Sequence, residues 1–148
     1  MGCCGKRPYA ATQIRGGTEA PQLSGCVQFY QENGCVLIVA KISGLPKERE
    51  TVFFGFHIHQ GDNCSGTDFS GTGSHYNPSD QAHPKHAGDL PPLLECQGNA
   101  YLSVRTDRFS VADIIGRTVV IHSDPDDFQS QPAGNAGKKI ACGVICKE

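Results

Sequence analysis

Gly55-Phe56-His57-Ile58-His59 alternates apolar and imidazole side chains, and a strand sends successive residues to opposite faces. His57 and His59 therefore project from one face, about 6.5 Å apart along the strand, with Phe56 and Ile58 behind them. Two imidazoles on one rigid face can reach a single metal ion. The other four histidines all lie downstream: His75, His83, His86 and His122. His83, His86 and Asp89 crowd into seven residues of a polar loop. Neutral nitrogens with one carboxylate suit Zn²⁺, which takes four ligands tetrahedrally. His57, His59 and His122 fall on strands or at strand ends, where imidazoles held by a rigid scaffold suit copper. Six histidines and two four-coordinate sites fit if one imidazole is shared. A deprotonated imidazole can bridge two cations, because the added charge lowers its second pKa.

Composition narrows the function classes. At 148 residues the chain is long enough for one domain, 1–148, with its own core. A net charge of −2 argues against nucleic-acid or membrane-surface binding resting on bulk positive charge. No stretch approaches the ~20 apolar residues of a membrane span. Met1 to Ala10 has no apolar run of the secretory kind, so the expected compartment is the cytoplasm. Met1-Gly2-Cys3-Cys4 is like the start of an acylated chain, but Lys6 stands where that pattern takes Ser or Thr. Residues 1–7 are expected to be flexible. Eight cysteines allow 105 full pairings, and nothing local chooses among them.

The elements that must position the histidines read as strands. Runs at 8–16, 24–31 and 35–42 are followed by a β-branched and aromatic run from Thr51 to His59. Asn33-Gly34 is a strong hairpin signal between the second and third. Further strands are predicted at 93–96, 100–106, 117–122 and 138–147, with a helical turn or bend at 110–115. Two polar stretches interrupt them, Gln60–Pro92 and Ser123–Gly137. A connection as long as the first is functional or disordered, and its three histidines favour function. About eight short strands and two long functional loops describe an all-β sandwich or closed barrel.

On these motifs the sequence resembles the copper/zinc superoxide dismutases from about Gln22 to Ile145. Gly55 to His59 with Gly61-Asp62-Asn63 is similar to the family's first copper strand. His75-Tyr76-Asn77-Pro78 is similar to its bridging-histidine segment, and His86-Ala87-Gly88-Asp89-Leu90-Pro91 to the end of its zinc loop. Gly116 to His122 resembles the strand with the last copper ligand. Asp126-Asp127 and Gly134-Asn135-Ala136-Gly137 resemble its electrostatic loop, and Ile140 to Ile145 its final strand.

The resemblance implies an eight-stranded Greek-key β-barrel. It implies copper on His57, His59, His75 and His122, and zinc on His75, His83, His86 and Asp89, with His75 as the bridge. It assigns Asp126 the aspartate that links a copper histidine to a zinc histidine, and Cys64–Cys142 the intrasubunit disulfide. The implied reaction disproportionates superoxide, 2 O₂⁻ + 2 H⁺ → O₂ + H₂O₂, with a homodimer as the expected assembly. Three departures stand out. Only Pro84 and Lys85 separate His83 from His86, a short form like that of some bacterial members. The Ser123–Gly137 loop is shorter than in animal enzymes. The family's active-site arginine falls at Lys139, which keeps the charge but not the planar fork, so anion guidance is expected to be weakened rather than lost. The alternative is a non-enzymatic copper/zinc-binding or copper-delivery protein of the same fold. A purely structural β-sandwich leaves the six-histidine pattern unexplained.

Overall fold

The computed structural model describes residues 6–47 and 50–148. Cys3, Cys4 and the first five residues of the segment expected to be flexible lie outside that range. Among the described residues the chain is almost entirely β. The strands are β1 (Ala10–Gly16), β2 (Ser24–Gln31), β3 (Val36–Ser43), β4 (Phe53–Phe54), β5 (Phe56–His59), β6 (Leu93–Leu94), β7 (Ala100–Thr106), β8 (Thr118–His122), β9 (Lys139–Val144) and β10 (Cys146–Lys147). The helical turns are a 3-10 turn at Ser70–Thr72 and α1 (Val111–Ile114), which is closed by a reciprocal Ser110–Asp113 capping box. No helix among the described residues is long and apolar enough to cross a membrane.

The main sheet runs in the order β5-β8-β9-β1-β2-β3-β7, with β10 also on β1. Every pairing is antiparallel. It curls into a half-barrel, and a separate β4–β6 ribbon leads into β5 and β7, the strands at its two open edges. From β3 the chain passes to the far edge of the sheet rather than to β7, its neighbour in space, as a Greek key requires. The core lies inside the curl. Phe29, Ile38, Phe56, Ile58, Val119 and Ile121 are all fully buried there, and each such side chain contributes about 1.5–3 kcal/mol by leaving water. Gly34, at φ +80°, supplies the left-handed backbone of the β2–β3 turn, where the Glu32 N–H donates to the Cys35 carbonyl at 2.9 Å.

Two predicted strands are broken, each for a backbone reason. The Thr51–His59 run divides at Gly55, whose N–H donates to the Asp124 carbonyl and whose carbonyl accepts from the His122 N–H. The residues before it turn away to pair with β6. A Cβ on Gly55 would lie 2.9 Å from the Ala136 Cβ and 3.2 Å from the His122 Cβ, so the glycine makes room for the ring opposite. The final run divides at Ile145, which bonds to Arg117 and Gly116 before Cys146 joins β1.

Candidate metal centre

β5 is an edge strand, and its open side is covered by the long loop. The Gln60 N–H donates to the Ser74 carbonyl, Tyr76 N–H to Ile58, Ile58 N–H to Gly88, and Gly88 N–H to Tyr76. That ladder sets His75 beside His59 and Asp89 beside His57 as isolated bridges. The loop is thus registered on the strand by backbone bonds, and all four residues of β5 are buried. On the other side of β5, β8 runs antiparallel with His57 opposite Val120. His122 ends β8 on the same face as His57. A register shift between Ile121 and His122 pairs His122 with Lys139 of β9, bringing the lysine to the rim of the cluster. Cys64 and Cys142 are disulfide-bonded with Cα atoms 5.9 Å apart, 78 residues apart in sequence. In the chain-entropy model closing such a loop is worth about 4.5 kcal/mol.

All six histidines converge. The His75 ring centroid lies 4.0 Å from His57, 4.9 Å from His59 and 6.0 Å from His122. On its other side it lies 5.4 Å from His83 and 5.3 Å from His86. Two quartets of donor atoms result, each within 4.8 Å of one another: His57, His59, His75 and His122, and His75, His83, His86 and Asp89. His75 alone belongs to both.

Outer hydrogen bonds fix which nitrogen of His57, His83 and His59 faces inward. Asp126 accepts from His57 Nε2 at 2.8 Å on Oδ2 and from His83 Nε2 at 2.8 Å on Oδ1. His59 Nδ1 donates to the Gly73 carbonyl at 2.8 Å. A proton held on the outer nitrogen leaves a lone pair on the inner one. Among the described residues His57 Nδ1, His75 Nε2, His83 Nδ1 and His122 Nδ1 are buried without a hydrogen-bond partner, and a buried polar atom left so costs about 1–3 kcal/mol. His59 Nε2 faces His122 Nε2 at 3.2 Å. Opposite them Asp89 puts Oδ1 2.8 Å from His75 Nδ1, and Oδ2 3.1 Å from His83 Nδ1 and 3.2 Å from His86 Nδ1. Inward-facing imidazole nitrogens crowded together with a carboxylate are an arrangement that a cation would satisfy. Four imidazoles suit copper on one side, and three imidazoles with a carboxylate suit zinc on the other.

The electrostatics favour the same loading. Burial pushes His57 and His86 below the ordinary histidine value, and His59 and His122 well below it, which keeps those rings neutral and able to ligate. Burial would raise Asp89, but the hydrogen bond from His75 and the surrounding imidazoles hold it down. Burial likewise opposes ionisation of Asp126, yet His57, His83 and the Phe128 N–H bring it to about 2. Both carboxylates stay charged at neutral pH.

Every candidate residue named from the sequence thus sits at this centre or on its supports. Lys139 is half-buried, with Nζ donating to Thr72 Oγ1 at 2.7 Å and to the Gly73 carbonyl at 2.9 Å. The electrostatic-loop motif includes Gly134, but the sequence does not show what the glycine does there. At φ +70°, a Cβ there would lie 2.0 Å from Asp126 Oδ1 and 2.6 Å from His83 Nε2, so a side chain would displace the hydrogen bond that links them.

Residues 23–145 match the family model described as copper/zinc superoxide dismutase. Superoxide dismutase (Cu-Zn) 2 of Aquifex aeolicus (strain VF5) is 37% identical over 139 residues, covering 84% of this chain and 80% of the relative. Superoxide dismutase (Cu-Zn) 3 of Arabidopsis thaliana is 37% identical over 139 residues, 82% of this chain and 81% of its own. Superoxide dismutase (Cu-Zn) of Botryotinia fuckeliana is 37% identical over 155 aligned positions, with 92% and 96% covered. A curled Greek-key sheet, two donor quartets that meet in one histidine and a family match across nearly the whole of that fold lead to one conclusion: the chain belongs to the copper/zinc superoxide dismutase family.

Proposed function

We propose that the chain disproportionates superoxide, with copper on His57, His59, His75 and His122 and zinc on His75, His83, His86 and Asp89. The observation that carries this reading is the single imidazole common to two complete, buried donor sets. The copper-side set has all four nitrogens, which a protein that merely carries the metal does not require. Copper held there would supply the one-electron couple that oxidises one superoxide and reduces the next, and zinc would hold the far nitrogen of the shared ring.

The protein's own groups handle the proton and the anion. His75 Nε2 is buried with no hydrogen-bond partner among the described residues; it is the copper-side nitrogen of the shared ring, and when copper does not hold it, it would hold the proton passed to the peroxide product. On the other side of that ring Asp89 lies 2.8 Å from Nδ1, and both are donors of the zinc set. Lys139, tied to Thr72 and Gly73 at the rim, presents a fixed positive charge to an incoming monoanion. A local field of this kind raises on-rates by about 10–10³-fold even in a protein of net negative charge.

The pH profile of the copper- and zinc-loaded chain tests the reading. Superoxide consumption is expected well above that of the zinc-only chain. It should decline as pH rises through the Lys139 pKa, because the ammonium loses its charge there. Burial lowers that pKa from the ordinary lysine value, so the decline begins earlier than an exposed lysine would give. Lys139→Arg should move the decline to higher pH, and Lys139→Ala should lower kcat/KM about tenfold. Equal rates with and without copper would remove the proposed activity. A flat alkaline limb shared by wild type and Lys139→Arg would remove Lys139 from it.

For assembly we propose a homodimer. Val52, Phe53 and Leu94 are exposed together at the β4–β6 ribbon, an apolar patch that a second copy would take out of water. A monomeric mass at micromolar concentration in analytical ultracentrifugation would exclude it.

A further inference from the structure

The His83–His86 segment carries two of the four zinc-side donors, yet little of its own backbone holds it. Within Ala82–His86 the chain closes on itself through one turn, Lys85 N–H to the Ala82 carbonyl at 2.7 Å. His86 is also tied to Asp89, its N–H donating to Oδ2 at 2.9 Å and its carbonyl accepting from the Asp89 N–H at 3.1 Å; the rest of the hold on the segment comes from two side chains outside the loop. Gln131 uses both ends of its amide. Its Oε1 accepts from the His83 N–H at 2.8 Å and its Nε2 donates to the His83 carbonyl at 2.7 Å, so it pairs with His83 as a neighbouring strand would. Arg108, between β7 and α1, donates through Nη1 to the Pro84 carbonyl at 3.1 Å and the His86 carbonyl at 3.0 Å. These contacts span 48 residues for Gln131 and 22–24 for Arg108.

We infer that Gln131 and Arg108 are positioning residues for the zinc side of the centre, replacing the support that a longer connection between His83 and His86 would give itself. The inference rests on the reading of His75, His83, His86 and Asp89 as a zinc site. Asp126 already holds the His83 ring at Nε2. Gln131, from the same Ser123–Gly137 loop, fixes the backbone beneath that ring, so Nδ1 keeps one direction. Arg108 does the same for His86 from the opposite flank. Ligands held in advance need not be ordered when the ion binds, and groups that orient a metal's ligands are commonly worth 10–100-fold in affinity. Among the described residues neither side chain hydrogen-bonds to any of the four copper-side rings, so the effect should be selective for zinc.

The test uses the full chain loaded with zinc and copper, and reads loss of each metal to a coloured chelator. Gln131→Ala and Arg108→Ala should each release zinc about tenfold faster than wild type, with copper retention changed less than about twofold. Gln131→Glu, which can accept from the His83 N–H but cannot donate to its carbonyl, should fall between wild type and Gln131→Ala. Arg108→Lys should likewise fall between wild type and Arg108→Ala. With cobalt in the zinc position, the visible bands of Gln131→Ala should shift or broaden, which a general loss of stability would not cause in a folded protein. Zinc release within twofold of wild type in both alanine variants overturns this inference alone, as does equal loss of both metals. A wild-type chain that takes up no zinc overturns the underlying site reading as well.

Discussion

His122→Ala is expected to reduce superoxide consumption by the metal-loaded chain to the level of the copper-free protein, while zinc content stays near wild type. His122 belongs to the four-imidazole set and not to the zinc set. Its Nε2 faces His59 Nε2 at 3.2 Å, and the ring is 3% exposed, so nothing from solvent takes its place without entering the buried cluster. Removing a group that merely orients a ligand costs about 10–100-fold in affinity or activity; removing a ligand should exceed that. The zinc-side rings lean on Asp126, Gln131 and Arg108, none of which hydrogen-bonds to His122 among the described residues, so zinc should be kept. Superoxide decay measured beside metal analysis separates the two effects. If wild type with full copper is no faster than His122→Ala, dismutation at this centre is ruled out and metal carriage becomes the better reading.

The contrast between His122 and Gln131 shows what a sequence can reveal. His57 and His59 were legible because alternation is local: two residues apart on a strand means one face, whatever the rest of the chain does. The six histidines were legible as a set because imidazole has few roles in such number beside loops and strand ends. The pairing of Cys64 with Cys142 came from resemblance alone, since the cysteine count leaves every pairing open. Gly55 was read as part of a continuous strand. Its break depends on Asp124 and His122, which approach only after β8 and the second loop fold back. The break at Ile145 has the same cause, through Arg117 and Gly116. Gln131 and Arg108 carry no local signal at all. An exposed glutamine or arginine in a polar loop has the same sequence appearance whether it is solvated or clamped on a ligand's backbone. Lys139 lies between these cases: its charge was evident, but not its anchorage to Thr72 and the Gly73 carbonyl.

Asp126→Asn should cost about 10–100-fold in zinc retention and disturb copper as well, although it changes almost no volume. Asp126 takes one hydrogen bond on each oxygen, from His57 and from His83. As a carboxylate it is acceptor-only, so both rings must carry their protons outward and their lone pairs inward. Asparagine has one oxygen and one amide nitrogen. Whichever way it turns, one ring meets a donor and must put its proton on the metal-facing Nδ1. If that ring is His83, a zinc donor is lost; if it is His57, a copper donor is lost. The visible band of bound copper and the rate of zinc release would report each case. The metal-free proteins supply a second readout with a definite sign. Asp126 sits at about 2 when folded, below the ~3.9 of an unfolded aspartate. Its contribution to stability is therefore complete above about pH 4 and is lost as pH falls through about 2. Asparagine does not titrate, so the stability gap between the two metal-free proteins should narrow across that window. A gap that stays constant from pH 5 to 2, together with unchanged zinc release, would mean that Asp126 does not set the direction of the two rings.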